Sequence, residues 1–451
     1  KRFCEKLKHI VSSPLQAKIQ TMAVGSKRIL VLIGILLIKS PLSPLSYYGN
    51  LLPYLASYYY ARRDEIFMHV DPLWPPSIYR CIYTLTMIFT SPLELRFGLC
   101  SCIVAGLLLL WTSIMCCFFA VQGPLAFVSI FGVTHGIAVG ILYPTTLKIL
   151  LQTMPQKAGF IAGLLDSGPV LGSLANIGLS FFVINPGNSK PDLHVDNKVL
   201  FSDPNVIHRV PYFFLIAGAV MIAYTAVGLI LNKCDNTNYH SILSHDDSDV
   251  TPDEESQTCD DQSQCVDKST KLVVQAELCP REAIRTGKFW CVWLCFICTS
   301  HTSHLHMNLY KQYGQLVIRS DSVLVGAGIL SMLGTVFARP CIGLFSDKFG
   351  IRKTTLAISV LSSIFMFMMV ISNNRHSWVY VILVVMEFVC ISPQTLVFGL
   401  LTTFEFGKTH CASNFGLACS GNLMIMLLEP FFASSVIGAF GWDWLFLTGA
   451  I

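Results

Sequence analysis

Several ionisable side chains lie inside long apolar stretches of the sequence, where an isolated charge is costly. We single out one arginine, one lysine, two acids and two histidines: Arg339, Lys39, Asp166, Glu387, His301 and His304. An arginine remains charged and can hold a carboxylate through two parallel hydrogen bonds. A buried carboxyl group or an imidazole can carry a proton. These residue types predict carboxylate binding and proton movement.

Arg339 is the most specific of these signals. It lies 8 residues before Asp347, which is about 12 Å along a helix at 1.5 Å per residue. At that depth the guanidinium can reach a central cavity. We therefore predict that Arg339 binds a substrate carboxylate. The alternative is a structural ion pair with Glu387 or Asp166.

The other ionisable groups leave more alternatives open. Lys39 can neutralise a second carboxylate oxygen, or it can pair with an acid or extend to the membrane surface. Asp166 and Glu387 are candidate proton carriers, and paired structural acids are the equal alternative. His301 and His304 share one face of a helix, where we expect them to line a cavity or pack, with proton relay as the functional alternative. Because no third convergent ligand accompanies them, we predict no metal site, and no cofactor is expected.

The composition says which kind of chain must position these groups. Of 451 residues, 53% are hydrophobic, and the 31 basic and 27 acidic residues together make only 13%. A soluble domain of this size needs about twice that charge to cover its surface. The composition therefore excludes a soluble enzyme and a nucleic-acid binder, and no H-E-x-x-H or similar catalytic set points to a membrane enzyme.

Apolar stretches of about 20 residues predict membrane-spanning helices. We predict eleven complete spans and the start of a twelfth, cut short at Ile451. The predicted helices cover residues 29–60, 76–95, 98–120, 124–148, 158–184, 210–232, 289–310, 322–345, 354–374, 376–404, 409–435 and 442–451. The fold expected is an all-α membrane protein of two six-helix bundles, 29–232 and 289–451.

Two segments lie outside these bundles. Residues 1–28 are basic, and residues 233–288 carry 12 acids and 6 bases without apolar periodicity. The second segment is predicted to be a flexible acidic linker. Lysine and arginine are enriched on the cytosolic side of membrane proteins, so we predict that both segments are cytosolic. Bases expected on the opposite side stand mostly beside acids: Arg62, Arg63, Arg80, Lys190, Lys198, Arg209, Lys311, Arg319 and Arg375. No organelle address is visible, and a plasma-membrane location is expected.

Residues 343–353 form a short basic loop, G-L-F-S-D-K-F-G-I-R-K, between two predicted helices. A degraded copy, S-P-L-E-L-R-F-G, occupies residues 91–98. The two copies stand at similar distances from the start of each bundle, which indicates an internal repeat.

The second copy resembles the signature loop of the major facilitator superfamily, G-x-x-S-D-[RK]-x-G-x-[RK]-[RK]. Its matching residues are Gly343, Asp347, Lys348, Gly350, Arg352 and Lys353. Residues 48–54, 280–283 and 406–416 resemble the oxalate/formate antiporter-type family, and residues 338–340 are similar to helix 8 of the animal monocarboxylate transporters. The resemblance implies a midplane site exposed alternately to each side.

In this reading Arg339 recognises the substrate carboxylate, with Lys39 as a second cation. Further side chains are expected to line the cavity and bind substrate: Tyr48, Asn50, Tyr54, Asn414 and Asn422. At two positions this sequence has a different residue from the families that it resembles. Oxalate exchangers have a lysine where this chain has Asn422, and monocarboxylate transporters have an aspartate where it has Thr335.

We therefore predict a secondary transporter of a small monocarboxylate such as lactate, pyruvate or formate, driven by a proton or exchanged for a counter-anion. The expected partners are a small organic anion and the lipid bilayer, without nucleic acid. The alternatives are an oxalate or dicarboxylate exchanger and a non-transporting receptor with a transporter fold.

Overall fold

The computed structural model describes residues 30, 32–62, 73–153, 158–195, 198–233, 278–372, 377–407 and 411–450. The basic N-terminal segment and residues 234–277 of the predicted linker lie outside the described residues.

The described chain contains twelve helices in the order the sequence predicts, which confirms the all-α, twelve-helix fold. Their bounds are α1 (32–39 and Leu45–Ala61), α2 (Trp74–Phe97), α3 (Leu99–Ala120), α4 (Pro124–Phe127, Val128–Thr134 and His135–Thr153), α5 (Ala158–Ile184), α6 (Pro204–Lys233), α7 (Gly287–Gln315), α8 (Asp321–Phe349), α9 (Ile351–Ser372), α10 (Ser377–Ile391 and Gln394–Phe406), α11 (Cys411–Cys419 and Gly421–Phe440) and α12 (Trp442–Ala450). Within the described residues, eight helical stretches are long and apolar enough to cross a membrane. A short helix, Pro280–Ala283, precedes α7, and one antiparallel hairpin of β1 (Leu193–Val195) and β2 (Lys198–Leu200) joins α5 to α6.

The two copies of the repeated loop adopt the same turn. Gly98 joins α2 to α3 with a φ of 82°, and Gly350 joins α8 to α9 with a φ of 90°. Residues with a side chain rarely adopt this left-handed backbone, which explains a glycine at both positions. In each turn the glycine N–H donates to the carbonyl four residues earlier, Glu94 or Ser346. The basic-Phe-Gly repeat is thus a repeat of structure.

Three helices are broken within their span. In α1 a 3-10 turn, Ser40–Leu42, interrupts the helix directly after Lys39. In α10 the break falls at Ser392 and Pro393, and in α11 it falls at Ser420. A broken helix leaves backbone groups without intrahelical partners, which transporters use to build polar sites at membrane depth.

The first six helices pack against the last six along two interdomain seams and one further contact. One seam joins α5 to α8, and the other joins α2 to α11, while α1 packs on α7. Large apolar side chains cover the outward faces of the helices, and Phe182 and Trp378 are each 72% exposed. Because a water-soluble surface does not carry so many exposed aromatic and aliphatic groups, this surface is suited to lipid.

The α5–α6 hairpin covers one end of the bundle. The backbone N–H of Phe201 donates to the Ser57 hydroxyl at 2.9 Å, and the Phe201 ring packs 5.1 Å from the ring of Tyr54. Nearby, the Ser202 hydroxyl donates to Asp192 at 2.6 Å, which lowers the pKa of that exposed carboxyl below its ordinary value. These contacts tie the hairpin to the end of α1.

Candidate functional site

A polar cavity of about 110 Å³ lies between the two seams. Its charged lining residues are Arg339 of α8, Asp166 of α5 and Arg80 of α2. Its other hydroxyl- and amide-bearing lining residues come from α1, α2, α4, α7, α10 and α11: Ser43, Ser46, Tyr79, Tyr83, Thr84, Tyr143, Ser300, Ser303, Ser392, Gln394, Thr395 and Asn422. Both halves of the chain contribute side chains, so a bound molecule would contact both.

The predicted residues Arg339, Asp166 and Lys39 come together at the α5–α8 seam. Arg339 Nη1 lies 2.8 Å from a carboxylate oxygen of Asp166, and Lys39 Nζ lies 3.6 Å from the other. Tyr143 donates to the same carboxylate at 3.2 Å. All three charged side chains are more than nine-tenths buried. The alternative that paired Arg339 with Asp166 is the arrangement found here.

Every N–H of the Arg339 guanidinium has an acceptor. Nε and Nη2 donate to the Ser392 hydroxyl, Nη2 also donates to the Ser392 carbonyl at 3.0 Å, and Nη1 donates to the Asp166 carboxylate and backbone carbonyl. An arginine side chain has five N–H donors, so Arg339 has no donor left for another ligand in this arrangement. The break in α10 presents Ser392 to the guanidinium, so the broken helix itself fixes Arg339.

Arg80 lines the cavity, which corrects its predicted place among the bases outside the membrane. Helix α2 begins at Trp74, so Arg80 lies almost two turns inside it. Within the described part of the chain, its guanidinium makes no hydrogen bond or ion pair. The fully buried Glu429 of α11 attracts it electrostatically without contact.

The predicted proton carriers other than Asp166 lie outside the cavity lining. Glu387 is fully buried between α9 and α10, where the Ser362 hydroxyl donates to it at 2.6 Å. His304 forms a buried ion-pair contact with Glu429. His301 contacts Thr448 of α12 at 3.3 Å.

Tyr48, Asn50 and Tyr54 lie in α1 as predicted, but the structure places them outside the cavity lining. Tyr48 is fully buried with its ring 5.4 Å from that of Phe131. Asn50 donates to the Ser180 hydroxyl at 2.6 Å, which binds α1 to α5.

Tyr54 belongs to a buried cluster that we call the seal, formed by Lys311, Asp321, Tyr54 and Asn185. Lys311 Nζ lies 2.8 Å from Asp321, and both side chains are fully buried. Tyr54 and Asn185 of the first six helices donate to the same carboxylate. Lys311 Nζ also donates to the backbone carbonyl of Asn50 at 3.3 Å. The seal thus joins the two halves at the end covered by the hairpin.

Of the two asparagines predicted to bind substrate from α11, Asn422 lines the cavity and Asn414 does not. Asn414 donates to the backbone carbonyl of Leu278 at 3.1 Å and is fully buried. Asn422 lines the cavity, and its Oδ1 has no hydrogen-bond partner among the described residues.

The basic segment at residues 343–353, predicted as a loop, is instead the end of α8 and the start of α9, which meet at Gly350. It is anchored through one arginine. Arg352 Nε donates to Glu405 at the end of α10 at 2.6 Å, and Lys288 of α7 lies 3.5 Å from the same carboxylate. Glu405 is buried, whereas Arg352 is 60% exposed. One acid therefore connects α7, α9 and α10 at this end of the bundle.

Sequence reasoning missed Arg80 and the seal for one reason. Arg80 lies near the start of the predicted span 76–95 and Lys311 directly follows the span 289–310, so both count with the flanking bases. In the structure α7 continues to Gln315 and holds Lys311 within the helix. One signal in the sequence could have placed both bases within helices. Each directly follows apolar and aromatic residues, Ile78 and Tyr79 before Arg80 and Leu309 and Tyr310 before Lys311. Glu429 had no partner in the sequence because His304 lies more than 100 residues away.

Twelve packed helices with a lipid-suited surface and a polar cavity between two halves define a membrane transporter rather than an enzyme. The chain belongs to the Major Facilitator Superfamily, whose model matches residues 46–404.

Relatives and solved structures agree with this membership. A curated relative, apicoplast pyruvate carrier 1 of Toxoplasma gondii, is 21% identical over 336 residues, or 71% of this chain and 61% of the relative. This chain therefore matches less than two thirds of that protein's length. A crystal structure of a D-xylose-proton symporter superposes with a TM-score of 0.66 at 11% identity, over 95% of each chain. The inward-open xylose transporter XylE of E. coli gives a TM-score of 0.64 at 10% identity, over 95% and 93% of the chains. These structures share the fold.

Proposed function

We propose that this chain is a secondary transporter of a small monocarboxylate, of the lactate, pyruvate or formate type, and that Asp166 carries a coupled proton. The observation that carries the proposal is the Lys39–Asp166–Arg339 triad, of which Asp166 and Arg339 line the cavity and Lys39 lies behind Asp166. A curated relative named as a pyruvate carrier supports this substrate class.

The charges of the triad suit one monoanion. With all three groups ionised, two cations face one carboxylate, and the triad sums to one positive charge. Buried ion pairs resist the loss of one partner because the other charge is then left uncompensated. When a proton neutralises Asp166, Arg339 and Lys39 lose their counter-charge. A substrate carboxylate replaces it, so binding of the proton favours binding of the anion.

Release of the substrate follows from the same balance of charges in the triad. When the proton leaves Asp166, its carboxylate competes with the substrate for Arg339 and Lys39. The substrate is then held less tightly and leaves on the side that received the proton. Rocking of the halves about the two seams gives the triad access to each side in turn.

The orientation of the chain is part of this proposal. The N-terminal segment and the acidic linker lie in the cytosol, and the basic segment at residues 343–353 faces the same side. The seal then faces the opposite side of a plasma membrane, at the C-terminal ends of α1, α5 and α7.

The test is uptake of labelled pyruvate, lactate, formate and oxalate into proteoliposomes, with and without an inward proton gradient. Wild-type protein should accumulate monocarboxylates only with the gradient. Asp166→Asn should lose gradient-driven accumulation and keep exchange of labelled for unlabelled substrate, because a permanently neutral side chain leaves the cations free.

Glu387→Gln is the matched control, since Glu387 is an equally buried carboxyl outside the cavity lining. It should accumulate substrate like the wild type. Proton-driven accumulation by Asp166→Asn would exclude Asp166 as the proton carrier. Absence of uptake of all four anions by folded wild-type protein would refute the substrate class, and uptake of oxalate alone would favour a dicarboxylate exchanger.

A further inference from the structure

The arginine that should bind substrate is fully engaged in the resting structure. All five N–H groups of Arg339 already donate to Asp166 or Ser392, and Asp166 neutralises its charge. An arriving carboxylate therefore finds no free donor on Arg339, and protonation of Asp166 would release only the Nη1 donor that faces its carboxylate. Initial recognition of the anion has to come from another group in the cavity.

Arg80 has the properties that Arg339 lacks. It lines the same cavity from the α2–α11 seam, whereas Arg339 lies at the α5–α8 seam. Throughout the described ranges, no acceptor lies within hydrogen-bond distance of its guanidinium. The planar fork of an arginine binds a carboxylate through two parallel hydrogen bonds. Arg80 is half-buried, so water screens such a pair less than it would at an exposed surface.

Two amides in the lining independently indicate an absent polar ligand. Gln394 is 7% exposed, and its Oε1 accepts a hydrogen bond from Ser303 at 2.5 Å. Its Nε2, however, has no partner among the residues that the structure describes. Asn422 is 6% exposed, and its Oδ1 is likewise unpartnered in the described chain. Buried polar atoms are normally paired, so the Gln394 N–H fits an acceptor such as a carboxylate, whereas the Asn422 oxygen fits a hydroxyl group or an ordered water.

Glu429 is an acidic side chain near Arg80 on the α11 side of the cavity, but it contacts His304 on α7 and makes no ion pair with Arg80. Arg80 therefore remains available as a donor. A site of this kind captures a monoanion and releases it again, which transport requires.

We propose that Arg80 is an anion-recognition residue of the cavity, which holds the substrate carboxylate before protonation of Asp166 makes a donor of Arg339 available. This inference rests on the proposed function, because it assumes a carboxylate substrate. It adds a residue on the opposite seam, so that the substrate contacts both halves in succession.

Transport kinetics give the first test, with labelled pyruvate as the probe. Arg80→Gln should raise KM about 10- to 100-fold, the effect of losing hydrogen bonds to a charged group. Arg80→Lys should restore part of the affinity because it keeps the charge without the fork. Arg209→Gln removes an exposed arginine of α6 and should leave KM unchanged. A wild-type KM in Arg80→Gln would overturn the inference and leave the proposed function intact.

Chemical protection gives a second test that does not depend on a variant folding. Phenylglyoxal modifies accessible guanidinium groups, and peptide mass spectrometry locates the product. Saturating pyruvate should slow modification of Arg80 in the wild-type protein at least several-fold and leave that of Arg209 unchanged. Equal rates at Arg80 with and without pyruvate, in protein shown to transport it, would refute contact between Arg80 and the substrate.

Discussion

The bond from Tyr54 to Asp321 is one of three hydrogen bonds that join the two halves at the seal, and Tyr54→Phe removes only that bond. The phenyl ring keeps its contact with Phe201 at 5.1 Å and its place beneath Lys311 Nζ at 4.1 Å. Asp321 keeps its bonds from Lys311 and Asn185. The substitution therefore changes one hydrogen bond to a buried charged acceptor, and little else.

The expected magnitude follows from that bond. A hydrogen bond to a charged group contributes about 1.5–3 kcal/mol. At about 1.36 kcal/mol per factor of ten, the population with the seal open should rise about 10- to 150-fold. Hydrogen exchange measures this population, because local opening limits the exchange of protected amides. Amides at residues 54–61 and 321–328 should exchange faster by that factor in Tyr54→Phe.

Tyr224→Phe provides the matched control. Tyr224 is a tyrosine of α6 whose hydroxyl has no hydrogen-bond partner in the described part of the chain. Its removal should leave exchange at the seal unchanged. Exchange in Tyr54→Phe within twofold of the wild type would refute the argument that this bond holds the seal. An equal acceleration in both variants would indicate general loosening instead.

The remaining predictions concern helix packing and the basic loop. Gly172→Ala should lower the thermal unfolding midpoint in detergent, because its Cβ would lie 2.0 Å from the Ser40 carbonyl oxygen, whereas Gly178→Ala, which meets nothing within 4 Å, should not. Equal midpoints would contradict the close α1–α5 contact. Arg352→Ala should reduce turnover several-fold without changing KM, since it disconnects α9 from α10, and exposed Lys353→Ala should change neither. An equal loss in Lys353→Ala would point to loop charge rather than to the ion pair.

Sequence reasoning succeeded where local chemistry determines the structure. Apolar length predicts spanning helices, and basic-Phe-Gly predicts the tight turns at Gly98 and Gly350. For Arg339 the sequence predicts carboxylate binding and offers an ion pair with Glu387 or Asp166 as the alternative, and the structure contains the pair with Asp166. It was accessible because a buried arginine needs a carboxylate, and few acids occur within the predicted spans.

The remainder of the site depends on tertiary packing. The breaks in α10 and α11 contain only Ser392, Pro393 and Ser420, which also occur in continuous helices. Tyr54 and Asn50 lie on the predicted helix, but their orientation depends on α5 and α7, which are distant in sequence. The predicted span 76–95 already contains Arg80, but the count of flanking bases places it near the membrane surface. Only the packing of α2 shows that it lines the cavity.

The triad also bears on how the membrane potential acts on this protein. Empty and ionised, Lys39, Asp166 and Arg339 sum to one positive charge; with one proton and one monoanion added, the sum is the same. Each elementary charge crossing a membrane at 100 mV involves about 2.3 kcal/mol of electrical work. The loaded and empty carriers would move equal charge in opposite directions, so one full cycle involves no net electrical work. Such a carrier distributes its substrate according to the pH difference alone, and a cell can change its voltage without driving the anion out.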